Sequence, residues 1–207
     1  MKSRQRRAKV VPGEPGFVFS DLTETGRLQF FYHSPSSTLP VRDLRGEQGQ
    51  GKKSEPHIEK SAENYCACCH QPNILGFLKS REKYLFLFTT CKAKDQSMGC
   101  FRGRRFVVGY MVKEKALWRG KQWAVKGATR LYSFADALPL SEVVKGGTST
   151  HLRLKKLGET ETKELLCHFK GRRSRLKACI AEVKRLGAKP RTRGSSCDEA
   201  VSCKSHC

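Results

Sequence analysis

The densest group of potential metal ligands in the sequence lies in residues 65–70, which contain three cysteines and a histidine. Cys66 and Cys69 have the Cys-x-x-Cys spacing that lets two thiolates bind one Zn²⁺. Cys91 and Cys100 follow a predicted strand and can supply the other two ligands. The pattern therefore predicts a structural zinc bound by these four cysteines. The alternatives are buried free thiols, which pack as small apolar side chains, or a redox-active pair.

A catalytic zinc is a further alternative for this cluster. His57-Ile58-Glu59 stands ahead of Cys66 and Cys69 and resembles the His-x-Glu and Cys-x-x-Cys halves of a zinc deaminase. No proline precedes Cys66, and too few residues separate the two halves to form the strand expected between them. We therefore assign no catalytic residue. A zinc-dependent enzyme acting on nucleic acid, by cleavage or base modification, is the second functional hypothesis.

Charge is the second feature from which function can be inferred. The chain has 41 Lys and Arg residues against 19 Asp and Glu residues, a formal net charge of +22. This balance exceeds what solubility requires and attracts polyanions, so RNA or DNA is the expected partner, with a merely basic surface as the alternative. Residues 163–193 contain eleven basic and two acidic residues. The predicted phosphate contacts are Arg172, Arg173, Arg175, Lys177, Lys184 and Arg185.

Aromatic and basic residues alternate at one further place. Trp118 and Trp123 bracket Arg119 and Lys121, a pattern suited to stacking a base while charges hold its phosphates. The alternative is that both tryptophans belong to the core or to the rim of a barrel. The residues predicted to line a base-binding mouth are Arg104, Arg105, Tyr110, Trp118, Arg119, Lys121 and Trp123.

Three apolar or β-branched runs predict the sheet that positions these residues. Residues 84–90 are apolar enough for a strand covered on both faces, and residues 104–112 and 122–132 provide two more strands. The connections are too short for parallel crossovers, so an antiparallel meander is predicted. The predicted fold class is α+β: a small curled antiparallel sheet or partly closed β-barrel, followed by a basic helical segment.

Other elements flank this meander. Residues 16–19 and 28–33 are predicted to form a hairpin around a turn at 23–26, with the second strand beside the Tyr84 strand. A short helix is predicted over residues 73–82. In the last third, Thr160 and Ser174 are candidate caps of helices that run to Lys170 and Leu186.

The strand succession resembles the PUA-like superfamily, with EVE, ASCH and nucleotide-modification-associated domains as the nearest types. The matching residues are 84–88, 103–112, 124–127 and 134–140, and the second of these contains the pattern Val108-Gly109-Tyr110. The resemblance implies a PUA-like β-barrel that binds RNA or modified bases in DNA, with a base held beside aromatic side chains. The chain departs from these domains in its Cys-rich loop, its long insertion and its basic helical end, so no pocket residue is carried over.

Length and composition favour one domain with loosely ordered ends, since only 38% of the 207 residues are hydrophobic. No apolar run reaches the length of a transmembrane helix, and no apolar segment follows the basic first residues as in a signal peptide. We therefore expect no membrane contact and a cytoplasmic protein, with cysteines reduced or metal-bound. The predicted divisions are a basic disordered arm at 1–15, the β-barrel domain at 16–145 with a flexible insertion at 34–64, a basic helical extension at 146–190 and a disordered Cys-containing tail at 191–207.

Overall fold

The structure, a computed structural model, describes residues 16–43, 54–56, 58, 64–67, 72–118, 123–144 and 155–187. The strands are β1 (Gly16–Val18), β2 (Thr23–Phe30), β3 (Arg42–Asp43), β4 (Ser54–Glu55), β5 (Asn64–Ala67), β6 (Glu82–Thr90), β7 (Arg105–Val112), β8 (Lys115–Trp118), β9 (Trp123–Lys126), β10 (Thr129–Leu131), β11 (Leu138–Pro139) and β12 (Lys156–Leu157). The helices are α1 (Pro72–Lys79), α2 (Leu140–Val143), α3 (Glu159–Phe169) and α4 (Leu176–Leu186), with a 3₁₀ turn at Gln96–Met98. These elements give the α+β class that the sequence predicts. The predicted arm at 1–15 and tail at 191–207 lie outside the described residues.

The central sheet has the strand order β10-β7-β6-β2-β12, with β11 also paired to β7. Its β2 and β6 strands run parallel, with Leu28 opposite Phe86, whereas its other pairings are antiparallel. The predicted antiparallel meander is confirmed for β6, β7 and β10, whereas the prediction that the whole sheet is antiparallel is wrong. Parallel neighbours need a long crossover that usually contains a helix, and α1 lies in the connection between β2 and β6.

The hairpin predicted from residues 16–33 is also wrong. β1 pairs with β8, with Phe17 opposite Ala116, and residues 23–26 form the start of β2 instead of a turn. Two of those four residues are β-branched threonines, which fit a pleated strand well. The predicted position of the second strand, beside the Tyr84 strand, is confirmed by the pairing of β2 with β6.

Both faces of the central sheet are covered. Leu85 and Leu87 on β6 point into a first core, whose helices are α1 and α4. Tyr84, Phe86 and Phe88 alternate with them and point into a second core, to which α3 contributes Leu165 and Phe169. The sequence-based prediction that this strand is covered on both faces is confirmed, since its residues from Tyr84 to Phe88 are at most 9% exposed.

A long bent hairpin connects the central sheet to a second sheet of order β1-β8-β9-β5. One arm runs through β7 and β8, the other through β9 and β10, and the bend places Lys113 and Glu114 beside Gly127 and Ala128. The backbone pairing continues through the bend, with bonds from the Val112 amide to the Ala128 carbonyl (2.8 Å) and from the Glu114 amide to the Lys126 carbonyl (3.0 Å). A Cβ at Gly127 would overlap the carbonyl oxygen of Val112, so this close crossing requires glycine.

The partly closed barrel that the sequence predicts is not formed, because the pairings among the described strands do not close one. The central sheet ends at β10 and β12, and the second sheet ends at β1 and β5. A barrel needs its first and last strands to pair, which abolishes both edges. The central and second sheets thus remain open and are joined by a shared hairpin, and β3 and β4 pair separately from both.

The structure describes parts of the predicted insertion at 34–64. β3 and β4 pair there, with Arg42 opposite Glu55. Val41 and Ile58 are at most 1% exposed and belong to the first core. These scattered apolar residues were too few to indicate packing from sequence, because the core that they enter is assembled from distant segments.

The helices lie close to their predicted positions. α3 and α4 begin and end within two residues of prediction, whereas α1 ends earlier because Glu82 already belongs to β6. The carboxylate of Glu161, rather than the predicted Thr160, completes the start of α3 by accepting a hydrogen bond from the Gly158 amide (2.9 Å). Within the described parts of the chain, no helix is long and apolar enough to cross a membrane.

A buried group of charges supports the parallel pair β2–β6. The Arg27 guanidinium donates Nε to Oε2 (2.9 Å) and Nη2 to Oε1 (3.2 Å) of Glu82, and both side chains are under 10% exposed. Lys113, 2% exposed, donates Nζ to the carbonyls of Phe77 (2.6 Å) and Ser80 (2.7 Å), at the end of α1. Burial lowers the pKa of Lys113 to about 8, while the charge of Glu82 acts in the opposite direction.

His33 is buried in the loop that follows β2, and its two hydrogen bonds favour a neutral ring. Its Nε2 donates to the carbonyl of Leu39 (2.9 Å), while Nδ1 accepts from the amide of Lys92 (2.9 Å). A second proton on Nδ1 would face that amide hydrogen. Burial accordingly lowers the pKa of His33 to about 4.

We expect His33 to make folding pH-dependent between about pH 6.5 and pH 4. In this window the unfolded chain binds a proton at His33 and the folded chain does not, so the free energy of unfolding falls as pH falls, by up to about 1.4 kcal/mol per pH unit. The measurement is urea unfolding at a series of pH values for wild type and His33→Gln. The variant should lose this part of the slope, whatever its baseline stability. Identical slopes would contradict the assignment.

Candidate nucleic-acid interface

The connector between α3 and α4 passes around the edge of the central sheet. α3 packs on the second core and α4 on the first, so residues 170–175 cross from one face to the other beside β10. Ser174 Oγ lies 3.3 Å from the Leu131 amide and 3.2 Å from its carbonyl, and the Arg175 amide donates to the same carbonyl (2.6 Å). The connector is thereby fixed against β10.

A cavity of about 560 Å³, which we call the α3 pocket, lies between α3 and the central sheet. Its lining residues are Glu24, Tyr110, Arg130, Glu159, Thr162, Lys163, Leu166, Cys167, Phe169, Lys170 and Gly171. The α3 residues among them recur every three or four positions, so one side of the helix forms a wall. The volume is typical of sites for small molecules.

Aromatic rings form the inner wall of the α3 pocket. Phe169 stacks on Tyr132 with ring centroids 4.4 Å apart and planes 8° apart, and Tyr110 lies 6.0 Å from Phe169. The hydroxyl of Thr162 is buried and has no hydrogen-bond partner among the described residues. The pKa of Tyr132 is raised, mainly by burial and then by Tyr110, and the side chain of Arg130 beside it acts in the opposite direction. An unsatisfied hydroxyl in a pocket wall is unusual, since nearly all buried polar atoms are paired.

A second cavity, of about 570 Å³, lies at the start of α4 on the other side of Arg130. It is lined by Thr129, Arg130, Arg173, Ser174, Arg175, Leu176, Lys177 and Ala178. Arg130 lines both cavities, so they are neighbours at the β10 edge. Gly109 on β7 allows this arrangement, because a Cβ there would overlap the carbonyl oxygen of Arg130.

The cations that line the two cavities share one property: none forms an ion pair with a carboxylate of the described residues. We call this set the basic ridge: Arg130, Lys163, Lys170, Arg173, Arg175 and Lys177. Their charges are therefore not held in ion pairs of the described residues, although Glu24 and Glu159 also line the α3 pocket. A surface of this kind attracts anions more strongly than paired charges do.

The structure divides the phosphate contacts predicted from sequence into two groups. Arg173, Arg175 and Lys177 belong to the basic ridge. Arg172 instead lies 3.5 Å from Asp136, and Arg185 forms a 2.7 Å pair with Glu182 near the other end of α4. Lys184 is exposed in the last turn of that helix, about 10 Å along it from Lys177.

The structure does not bring together the described residues among those predicted to line a base-binding mouth. Trp118 and Trp123 face each other across β8 and β9 with ring centroids 5.4 Å apart, and Trp123 packs on the first core. Tyr110 contacts the second core, on the opposite face of the central sheet, and lines the α3 pocket instead. Arg104 and Arg105 are exposed where β7 begins, opposite Thr90. Arg119 and Lys121 lie outside the described residues.

The predicted zinc ligands are placed only in part. Cys91 is fully buried and Cys100 is exposed in the turn that follows, and the pKa of Cys91 is raised mainly by burial. Cys66 lies in β5 with its backbone paired to Ala124, and Cys69 lies outside the described residues. No group of three or more His, Cys, Asp or Glu residues able to hold a metal occurs in the part of the chain that the structure describes. The zinc site stays a prediction.

Three ridge residues, Arg130, Lys163 and Lys170, were not among the site residues predicted from the sequence, and neither was Thr162. The two lysines lie seven residues apart on α3 and could have been found as one helical stripe. Arg130 is an isolated basic residue in a strand and gave no signal. No family model, curated protein or solved structure matches the chain.

Proposed function

We propose that the protein binds nucleic acid, RNA or DNA, with the basic ridge as its phosphate-binding surface. The observation that supports this most directly is that six cations, none of them in an ion pair with a carboxylate of the described residues, lie along one edge of the central sheet. Like charges held close together repel one another, so the ridge gains most from a ligand that brings several negative charges at once. A phosphodiester backbone is such a ligand.

The chemistry of the ridge suits phosphate in particular. Three of its members, Arg130, Arg173 and Arg175, carry the planar guanidinium group that binds phosphate oxygens through two parallel hydrogen bonds. The three lysines add point charges on both sides of them. Contacts of this kind fix the position of a strand without reading its sequence.

Membership of the PUA-like superfamily is part of the same proposal. Its support is the strand succession from β6 to β11 and the bent hairpin that curls the strands from one sheet into the next. The proposed phosphate contacts depend on the ridge alone and would stand without that relationship.

The test is binding of labelled single-stranded and double-stranded RNA and DNA, measured by fluorescence anisotropy at several salt concentrations. With all six ridge cations in contact, the association constant should fall roughly 10³-fold between about 50 and 200 mM salt, because bound phosphates release counterions. Absence of binding at low salt, or an affinity that does not change with salt, would refute the proposal.

A further inference from the structure

We propose that the α3 pocket binds a nucleoside phosphate, either a free mononucleotide or one unstacked nucleotide of a strand lying on the basic ridge. The inference rests on the proposed function, because it places the base of a bound nucleic acid next to the surface proposed for its phosphates. Arg130 lines both cavities, so a phosphate at the ridge stands at the mouth of the pocket.

The buried hydroxyl of Thr162 indicates that the pocket receives a polar ligand. Thr162 is 1% exposed and lines the pocket, yet its Oγ1 has no hydrogen-bond partner. Buried hydroxyls without partners are rare in folded proteins, and a rotation of the Thr162 side chain toward the cavity would pair its hydroxyl with a donor or acceptor at the edge of a ligand.

The pocket also matches a ligand with a flat apolar ring and charges of one sign at one end. Tyr110, whose side chain is partly exposed, presents ring surface on which any base can stack, and the buried Phe169 packs behind it at 6.0 Å. Lys163, Lys170 and Arg130 supply positive charge for a phosphate.

Two carboxylates in the lining argue against a simple inorganic anion as the ligand. Glu24 is held by Lys83 and by the hydroxyl of Tyr84 (2.8 Å), whereas Glu159 is exposed at the first position of α3. A carboxylate accepts hydrogen bonds from the exocyclic amino groups of bases but repels phosphate. A nucleotide offers its phosphate to the cations of the pocket and the amino group of its base to the carboxylates.

Alkylation of Cys167 can be used to measure ligand binding in the α3 pocket. It is a free, exposed thiol in the lining of the α3 pocket, and Cys100 is a free, exposed thiol on the distant loop between β6 and β7. A ligand in the pocket should slow alkylation of Cys167 several-fold without changing that of Cys100. Both rates are measured in the same molecules by peptide mass spectrometry after brief treatment of the full chain with iodoacetamide.

The experiment compares AMP, CMP, GMP and UMP with inorganic phosphate at the same ionic strength. At least one mononucleotide should protect Cys167 selectively, and Thr162→Val should abolish that protection while Thr162→Ser keeps it. Short single-stranded oligonucleotides, added in parallel, distinguish a strand from a free nucleotide as the occupant. If the valine variant does not fold, the wild-type comparison of the two cysteines decides.

Three results would overturn the inference: protection of neither cysteine, equal protection of both, or equal protection of Cys167 by inorganic phosphate. If one of these results is found together with salt-sensitive oligonucleotide binding, the inferred nucleotide pocket is refuted. The proposed nucleic-acid binding is then still supported. Lack of oligonucleotide binding at low salt would instead remove the proposed function. Selective protection by mononucleotides would then show that the pocket serves free nucleotides only.

Discussion

Glu82→Gln is expected to lower the free energy of unfolding by about 3–5 kcal/mol, because removing one partner of a buried ion pair leaves the other charge uncompensated. Here two cations are affected. Arg27 loses the bidentate partner that it contacts at 2.9 and 3.2 Å, and Lys113 loses the negative charge that favours its protonated form. The measurement is urea unfolding at pH 7, followed by circular dichroism.

The matched control is Glu24→Gln, the same substitution in an ion pair of the same two strands. Glu24 is 59% exposed and pairs with Lys83, so its loss should cost about 1 kcal/mol or less. A second control, Arg27→Met with Glu82→Leu, removes both charges and should cost less than Glu82→Gln alone. A Glu82→Gln cost no larger than that of Glu24→Gln would show that the buried pair does not support the fold.

Glu82→Gln should also change how the free energy of unfolding depends on pH, through its effect on Lys113. The folded pKa of Lys113, about 8, lies below the ordinary lysine value of 10.5, so the stability of the wild type rises with pH between these values as the folded state loses its buried proton first. Glu82→Gln removes a charge that raises this pKa and should move the start of the window to lower pH. The difference between variant and wild type should accordingly shrink as the pH rises toward 8 and stay constant above pH 8, where Lys113 is deprotonated in both folded proteins.

The triple variant Arg173→Ala, Arg175→Ala and Lys177→Ala is expected to bind nucleic acid roughly 100- to 500-fold more weakly at about 0.1 M salt. The slope of log affinity against log salt concentration should fall by about two to three units, since each lost phosphate contact removes about 0.7–0.9. All sequences should be weakened about equally, because phosphate contacts carry no base specificity. Anisotropy titrations over a salt series measure both quantities.

A charge-matched control distinguishes the basic ridge from net charge. Lys92→Ala, Lys94→Ala and Lys184→Ala remove three exposed cations that do not line either cavity. The first two follow the end of β6, about 13 Å or more along that strand from the level of Arg130. The control should change the salt slope by less than one unit. Equal effects of the two triple variants would mean that binding depends on total charge and that no ridge exists.

The sequence predicted those parts of the fold that local pattern determines. The run from Tyr84 to Phe88 is apolar on both sides and could only be a covered strand. The pairing of β2 with β6 could not be predicted in the same way. It depends on Arg27 meeting Glu82 and on the ring of Phe86 packing against Gly26, contacts that join residues more than fifty positions apart.

The residues of the candidate site could likewise be predicted only where a local pattern marks them. Arg173, Arg175 and Lys177 stand out by charge density alone, so they were found. Arg130 becomes a ridge residue only because the α3–α4 connector crosses the sheet edge beside it. Thr162 is one of many threonines in the sequence, and only its burial without a partner distinguishes it.

The connector that carries Arg173 and Arg175 also covers the edge strand β10, at which a second copy of the chain could otherwise pair. β10 is an edge strand, and exposed edge strands are templates on which a second chain can add a strand and start aggregation. The outward amide and carbonyl of Leu131 are already occupied by Ser174 and Arg175, and the flanking cations repel another copy of so basic a chain. If α4 detaches, the edge of β10 becomes exposed and the basic ridge is no longer assembled. A polyanion that holds the ridge in place would therefore also keep β10 covered, so the ligand would act as a safeguard against aggregation.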